Sequence, residues 1–359
     1  MADAPRVTIS SAAGSAEFPS SDSRKYNYFE PKGRKASHYE DVTVDVQPDP
    51  ERYLLQSWII SFNDGSPAYS KTSSALRSSN WHLFRAPDEE WERNHFQRQS
   101  GIQESINLVL TTARAQRSFE HFDKSWLKVL QDHVGALKHP EHGLGGILLV
   151  AQRGGYTQMI NNAILTNSSY KLRFAQDLTL YLAELNLELD GNLDEAAGKD
   201  HWLNDPIWQG ARRAIETIQA EFDPLENYFA VNAIYEALVM EPFRSGFIMQ
   251  CGAMHGDYVT PSIVSTAEGD YERNLNNAIE LFHILANDAT FGDQNKAVMQ
   301  GWLSKYIPLC VDAIKQMQPI WSQPQVKRVQ FEDSYGRAKN RLAAILSQIN
   351  VEMPEGVQL

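Results

Sequence analysis

Two Glu-x-x-His pairs are the residues in this sequence whose types and spacing are best suited to chemistry. One pair is Glu92 with His95, and the other is Glu280 with His283. On a helix, side chains three positions apart project from one face, so each pair is able to chelate a metal ion. Two such pairs, with one further Glu from each of two other helices, form the two-iron carboxylate sites of helical bundles. The pattern therefore raises oxygen chemistry at a di-iron centre as a hypothesis.

The order of these residues along the chain argues against that hypothesis. Each half of such a site needs a helix with one Glu, followed by a helix with Glu-x-x-His. Ahead of Glu92 lies a stretch rich in Pro, Ser and Asp, and in the second half Glu236 precedes only one pair. Glu92 is also explained as a charge pair with Arg93 beside Trp91, and Glu280 and His283 as polar edges of an amphipathic helix. An independent di-iron carboxylate oxidase or oxygenase is kept as the alternative, with Glu92, His95, Glu236, Glu280 and His283 as its candidate ligands.

Other candidate groups are weaker. His133, His139 and His142 surround a Pro/Gly segment that is typical of an exposed loop. Cys251 lies close in sequence to His255, but no Gly-rich turn supports a nucleophile there. The sequence contains no Gly-x-Ser-x-Gly, phosphate-loop or dinucleotide-binding fingerprint. We therefore predict no catalytic residue, no metal and no cofactor in this chain.

Composition and charge exclude several classes of function. The formal net charge is −12 over 359 residues, which argues against nucleic-acid binding and against an anionic membrane surface. The only cysteines, Cys251 and Cys310, lie far apart and form no CxxC motif, so a disulfide framework and a zinc knuckle are not expected. The first residues contain no apolar segment typical of a signal peptide, and no apolar run is long enough to span a bilayer. A cytoplasmic location is expected.

The stretch from Leu144 to Leu189 is expected to form the central pair of core helices. Its apolar residues follow helical spacing, and it contains no His or Cys. The polar run from Thr166 to Ser169 is the expected turn or kink, whereas Gly154 and Gly155 are read as a close approach of helices. Such helix pairs often hold metal ions in helical bundles, but this pair contains no credible set of metal ligands.

The remaining chain predicts an all-α protein with a helical bundle, additional helices and a long extended N-terminal arm. Residues 1–24 are expected to be disordered, residues 25–90 to form the arm, and residues 91–350 to form the helical domain. A short helix is expected from Pro50 to Phe62. Helix starts are indicated at Asp205-Pro206 and Pro224, and a loop at Lys138–Gly143. The aromatic-rich arm is expected either to cover its own core or to wrap a partner subunit.

Four segments resemble the small (beta) hydroxylase subunit of bacterial multicomponent soluble di-iron monooxygenases. The resemblance is to the members that act on short alkanes, the propane 2-monooxygenases, with methane, phenol and toluene monooxygenases as further relatives. The segments are FEPKGRKASHYEDVTVDVQPDPERYL, WHLFRAPDEEWERNHFQRQ, NNAILTNSSYKLRFAQDLTLYLAEL and YERNLNNAIELFHILAND.

The resemblance implies a division of labour between two related subunits. In this family the large (alpha) and small subunits share a ferritin-like fold, but only the large one keeps the di-iron centre, and the small one serves as a scaffold. The pair forms a dimer of heterodimers, sometimes with a third small chain. A coupling protein docks on the hydroxylase, and a reductase with FAD and an iron-sulfur cluster supplies electrons from NADH. The complex hydroxylates short alkanes such as propane with O2.

The resemblance also suggests which residues contact other subunits. The arm matches the segment that reaches over neighbouring subunits in the family. Aromatic and Arg side chains are the usual energetic anchors of such contacts. The predicted interface residues are Tyr28, Phe29, Arg34, Tyr39, Trp81, Phe84, Arg85, Trp91 and Arg93.

Overall fold

The computed structural model describes residues 36–44, 72–326 and 329–359, together with two short strands near the N-terminus. Strand β1, Thr8–Ile9, pairs antiparallel with strand β2, Ala16–Glu17. Other residues of the predicted disordered segment and the predicted helix from Pro50 lie outside the described residues. Apart from the strand pair, the described ranges consist of helices and their connections, so the all-α prediction is confirmed.

The helices fall into a small N-terminal one, a central set and a C-terminal set. The first eight α-helices are α1 His38–Thr43, α2 Glu92–Ala115, α3 Lys124–Val129, α4 Gly135–Ala151, α5 Gln158–Glu188, α6 Ala197–Asn204, α7 Pro206–Gln219 and α8 Pro224–Phe229. They are followed by α9 Glu241–Phe243, α10 Met249–Cys251, α11 Val259–Ala286, α12 Gly292–Met317 and α13 Phe331–Ile349. Short 3₁₀ helices span Trp81–Leu83, Ser118–His121, Gln152–Gly154, Gly252–His255 and Gln318–Ser322.

In the ranges that the structure describes, three π-helices interrupt this α-helical pattern. The first, π1, joins α3 to α4 and spans Leu130–Val134. The second and third, π2 Ala230–Met240 and π3 Arg244–Ile248, lie between α8 and α10 and make one nearly continuous helix from residue 224 to 251. π-helical turns are rare and are often found at functional sites. Their presence therefore draws attention to the inward-facing residues of this helix.

Two antiparallel helix pairs form the core bundle. Ser168 on α5 donates to the carbonyl of Gly145 on α4 at 2.7 Å, and later residues of α5 contact earlier residues of α4. The second pair consists of the helix that contains π2 and of helix α11. Helix α11 also packs antiparallel to α5. A long crossover through α6 and α7 joins the pairs, as in ferritin-like folds. The predicted bundle is confirmed.

The break between α4 and α5 lies elsewhere than predicted. The run from Thr166 to Ser169, expected to turn, lies inside α5 and is largely buried. Two of its side chains form hydrogen bonds inside the bundle, since Asn167 donates to Asn232 at 2.7 Å and Ser168 donates to α4. The chain instead leaves the helix at Gly154 and Gly155, and Thr157 caps the start of α5 by accepting from the Ile160 amide.

The predicted loop at Lys138–Gly143 is also wrong, because these residues lie within α4, with Pro140 inside the helix. His133, read as part of an exposed loop, is buried in π1. Its Nδ1 accepts from the Trp208 indole N–H at 3.1 Å, and its Nε2 lies 2.9 Å from Gln323 Oε1. Burial lowers the pKa of His133 to about 4, so this ring is neutral and structural.

The described part of the arm lies on the chain's own bundle. Backbone amides of the arm donate to side chains of the bundle, from Ala75 to Asp223 at 2.7 Å and from Ser79 to Asp288 at 2.7 Å. The side chain of Asn295 pairs with both backbone groups of Arg77. Such contacts satisfy the backbone of an irregular segment and fix its path.

Helix starts with a local signal are confirmed. Asp205 caps α7 by accepting from the Ile207 amide, with Pro206 as the first helical residue. In α13 the buried side is formed by apolar residues at helical spacing, including Ala338, Leu342, Ile345 and Ile349. None of the helices in the described ranges combines the length and the apolar character needed to cross a membrane.

Candidate functional site

Five charged side chains meet in the centre of the bundle, and we name them the central charge cluster. Arg244 of π3 is fully buried, and its guanidinium donates to Glu141 and to Glu236, each at 2.6 Å, and to Glu268. The ammonium of Lys171 donates to Glu141 at 2.9 Å and also to Glu236. Helices α4, α5 and α11 each supply one member of the cluster, and the helix through π2 and π3 supplies two, Glu236 and Arg244.

Electrostatics explain how so much charge is buried. Burial opposes ionisation of Glu236, but Arg244 and Lys171 outweigh it, so the pKa of this carboxyl is lowered. Burial also opposes the charge on Arg244, yet the surrounding carboxylates raise the pKa of its guanidinium. Burial raises the pKa of Glu268, which is bonded to Arg244 alone and lies at the outer side of the cluster. Charge-assisted hydrogen bonds thus hold the centre together.

The central charge cluster does not fit a two-iron centre. Iron ions of a ferritin-like bundle are bound by carboxylates and histidines that project inward. Here both oxygens of Glu141 and of Glu236 accept from cationic side chains, and no histidine faces the cluster within the described residues. A cation of the protein already occupies each place where these two carboxylates would bind a metal.

The residues of the two Glu-x-x-His pairs do not converge. Glu92 is exposed at the start of α2, and His95 is buried with its Nδ1 2.6 Å from Glu90 Oε1. Glu280 is half-buried on α11, and the exposed His283 lies 2.9 Å from the Gln348 carbonyl oxygen. Of the five predicted ligands, Glu236 alone lies in the central charge cluster. In the described ranges no three His, Cys, Asp or Glu residues are grouped so as to hold a metal.

The first histidine belongs to a structural contact between α2 and α5. Glu90 accepts from the Tyr170 hydroxyl at 2.6 Å and pairs with His95. Burial opposes the Glu90 charge, but the hydrogen bonds of His95 and Tyr170 outweigh it and lower the pKa of this carboxyl. Similarly, His255 contacts Asp123 and stacks on Trp126, with ring centroids 5.2 Å apart, rather than activating Cys251. Burial raises the pKa of the Cys251 thiol to about 11.

Sequence reasoning missed Glu141, Lys171, Arg244 and Glu268. Glu141 lies in the segment predicted as a loop, and the other three belong to no histidine-containing motif. The sequence does contain a signal for these residues. A Glu on one core helix is followed about 30 residues later by a charged residue on the next core helix, first as Glu141 and Lys171 and then as Glu236 and Glu268. Charged residues inside otherwise apolar core helices indicate either pairing or a site.

Beside the cluster, Glu241 gives a testable pH dependence. Burial raises the pKa of Glu241 from 4.5 to about 7, although Arg341 lies 3.2 Å away and opposes this shift. Over the range between these values the folded state holds a proton that the unfolded state has lost, so stability falls as pH rises. We expect the stability of Glu241→Gln relative to the natural protein to increase from about pH 5 to about pH 8.

Urea denaturation across that pH range measures this difference. Glu216→Gln is the matched control, since the Glu216 side chain is mostly exposed on α7 and forms a surface pair with Arg212. Its stability relative to the natural protein is expected to stay constant. A Glu241→Gln difference that is equally constant would contradict the assignment.

The predicted interface residues are distributed between the core and the surface. Tyr39 and Phe84 are each 1% exposed, and the Tyr39 hydroxyl accepts from the Ala86 amide at 3.0 Å. Trp81 stacks on Tyr156, with ring centroids 4.2 Å apart. The three N-terminal members lie outside the described residues. These three are Tyr28, Phe29 and Arg34.

The remaining predicted interface residues lie near the start of α2. Arg85 donates to the carbonyls of His82 and Phe84. Trp91 stacks with His38 and packs at the edge of the core, and Arg93 is exposed. Packing within the chain explains the aromatic residues of the described arm, and their contact with another subunit stays a prediction.

Comparison with known proteins identifies the family. The family model described as methane/phenol/alkene hydroxylase matches residues 58–289. The chain belongs to the methane/phenol/alkene hydroxylase family.

Relatives of this hydroxylase-family chain share nearly its whole length. It is 43% identical to the hydroxylase component small subunit of propane 2-monooxygenase from Gordonia sp. (strain TY-5), over 98% of this chain and 96% of that protein. It is 42% identical to the subunit of the same name from Mycolicibacterium goodii, over 96% of this chain and 94% of that protein. The predicted resemblance to small hydroxylase subunits is confirmed.

Structural comparison supports the same fold. The xenon-pressurised phenol hydroxylase from Pseudomonas sp. OX1 matches with a TM-score of 0.75 and 17% identity, over 93% of this chain and 100% of that chain. At this identity the match shows the fold alone. The ferritin-like bundle of this hydroxylase-family member therefore agrees with that of a solved hydroxylase.

Proposed function

We propose that this chain is the non-catalytic small subunit of the hydroxylase component of a multicomponent monooxygenase that hydroxylates short alkanes such as propane. The observation that carries the proposal is the central charge cluster, in which Lys171 and Arg244 engage the carboxylates that a metal site would need. The similarity to propane 2-monooxygenase small subunits over nearly the whole chain supports the substrate class.

In this proposal the reaction occurs on a partner. A large subunit with the same fold holds the di-iron centre, two such pairs form a dimer of heterodimers, and a coupling protein docks on the assembly. A reductase containing FAD and an iron-sulfur cluster delivers electrons from NADH. This chain contributes a rigid scaffold, because its buried ion pairs and aromatic core fix one packing of the bundle.

The alternative, an independent di-iron oxidase or oxygenase, receives no support from the geometry. Its five candidate ligands do not form one site, since Glu92 and His283 are exposed, whereas Glu236 is fully buried and already bonded to Lys171 and Arg244. The ring of His95 contacts Glu90 and Ser169 instead.

Metal analysis tests the proposed function. The chain is purified alone and after co-expression with its large hydroxylase subunit, and iron is measured in each preparation. We expect no iron in the chain alone and about two irons per heterodimer. Iron bound stoichiometrically by the chain alone would establish the alternative instead.

A further inference from the structure

The inward-facing residues of the bundle follow the order of a two-metal carboxylate site. In such sites a helix with one Glu is followed by a helix with a Glu-x-x-His pair, and this arrangement occurs twice. In this chain the same order recurs with other residue types at three of the six positions. The six positions, in chain order, are Glu141, Lys171, Phe174, Glu236, Glu268 and Tyr271.

Spacing and burial make the correspondence specific. Lys171 follows Glu141 by 30 residues, and Glu268 follows Glu236 by 32 residues. Phe174 lies three positions after Lys171, and Tyr271 lies three positions after Glu268, so each pair shares a helix face. Phe174 is 1% exposed and Tyr271 is 2% exposed. Two separate helix pairs thus carry the same pattern, and the Arg244 guanidinium carbon lies 5.8 Å from the centroid of the Tyr271 ring.

The positive charges lie where metal ions would be needed. The three nitrogen positions of the Arg244 guanidinium contact Glu141, Glu236 and Glu268, so all three carboxylates surround one planar group. Lys171 bridges two of the same carboxylates. Two single positive charges therefore face three negative charges, whereas four carboxylates would balance two divalent ions.

We propose that the central charge cluster is a latent site for a pair of divalent cations, closed by Lys171 and Arg244. Lys171 stands at a carboxylate-ligand position, and its ammonium neutralises the carboxylates on either side. Phe174 and Tyr271 stand at the two histidine positions. Arg244 fills the space between the carboxylates and takes the place of metal charge.

Cobalt binding to the full-length chain tests this proposal. The variant Lys171→Glu/Phe174→His/Arg244→Met/Tyr271→His restores four carboxylates and two histidines and removes both cations. We expect it to bind about two Co²⁺ per chain in equilibrium dialysis, with a visible Co²⁺ absorption band, and the natural chain to bind none above background.

A matched control isolates the two cations. Phe174→His/Tyr271→His keeps Lys171 and Arg244, and we expect it to bind no more Co²⁺ than the natural chain. Binding by this double variant at the level of the fourfold variant would show that the cations do not close the site. A fourfold variant with natural helical circular dichroism and no Co²⁺ binding would overturn the proposal.

Folding of the fourfold variant is itself informative. Without metal it carries four uncompensated buried carboxylates, so helicity is measured after refolding with and without Co²⁺. Helicity that returns only with Co²⁺ supports the site. A chain that stays unfolded in both conditions contradicts it, because bound metal would supply the missing positive charge.

Discussion

Replacement of Arg244 by Leu is expected to lower the free energy of unfolding by about 3–5 kcal/mol, because it strands buried carboxylates without their shared cation. The Arg244 guanidinium is inaccessible to water and contacts Glu141, Glu236 and Glu268 at once. Lys171 still neutralises part of this charge, but it does not contact Glu268 in the described structure. Urea denaturation of the purified full-length chain measures the loss.

Two comparisons separate the buried network from a general effect of losing an arginine. Arg213→Leu removes a side chain that is 59% exposed and lies 3.3 Å from Asp312, so a loss below about 1 kcal/mol is expected. Adding Glu236→Gln to Arg244→Leu removes one stranded charge and is expected to restore part of the stability. A loss for Arg244→Leu no larger than that of Arg213→Leu would show that the network is not stabilising.

Replacement of Phe84 by Ala is expected to destabilise the chain by about 3–5 kcal/mol, the usual cost of emptying a buried aromatic site. Phe84 lies in the arm, but it is 1% exposed and belongs to the same core as Tyr39. Leu83→Ala is the matched control, because its side chain is the immediate neighbour and is 57% exposed. For Leu83→Ala a change within about 0.5 kcal/mol is expected.

The Phe84 experiment decides between the two uses predicted for the described arm. If Phe84 served mainly to contact the large subunit, Phe84→Ala would unfold at the natural urea concentration yet associate poorly with that subunit. Unfolding at a lower concentration indicates that the residue completes the chain's own core. Because Tyr39, Leu76 and Phe84 all lie in that core, removing residues 1–90 would test folding rather than association.

Elements with local signals could be predicted from the sequence, and elements fixed by distant contacts could not. Asp205 and Pro206 predict the start of α7, because an N-cap residue and a first-turn proline stabilise a helix start through contacts within a few residues. Pro140 predicts a loop, but packing of α4 against α5 overrides the local cost of a proline within a helix. The π-helices follow no periodic pattern that the sequence reveals.

The candidate site was predictable only in part, because its chemistry depends on pairing. Glu236 was identified as a possible ligand, but nothing in its immediate sequence shows that Lys171 and Arg244 donate to it. Lys171 lies 65 residues away and is brought to Glu236 by the bundle, whereas Arg244 lies 8 residues away on the same nearly continuous helix. The Glu-x-x-His pairs lie outside the central charge cluster, and the corresponding positions in the bundle carry Lys171 with Phe174 and Glu268 with Tyr271.

The central charge cluster has a consequence for the evolution of this subunit. Loss of either cation exposes its carboxylates to mutual repulsion, and loss of Glu141 or Glu236 removes a hydrogen-bond acceptor from both cations. The effect of a mutation at one of these positions therefore depends on the residues at the others, which is strong epistasis. Single substitutions at these positions are expected to destabilise the folded protein. The five positions are therefore expected to change together or to remain fixed. A bundle whose central charges depend on one another in this way has no gradual route to a metal site built from the same carboxylates.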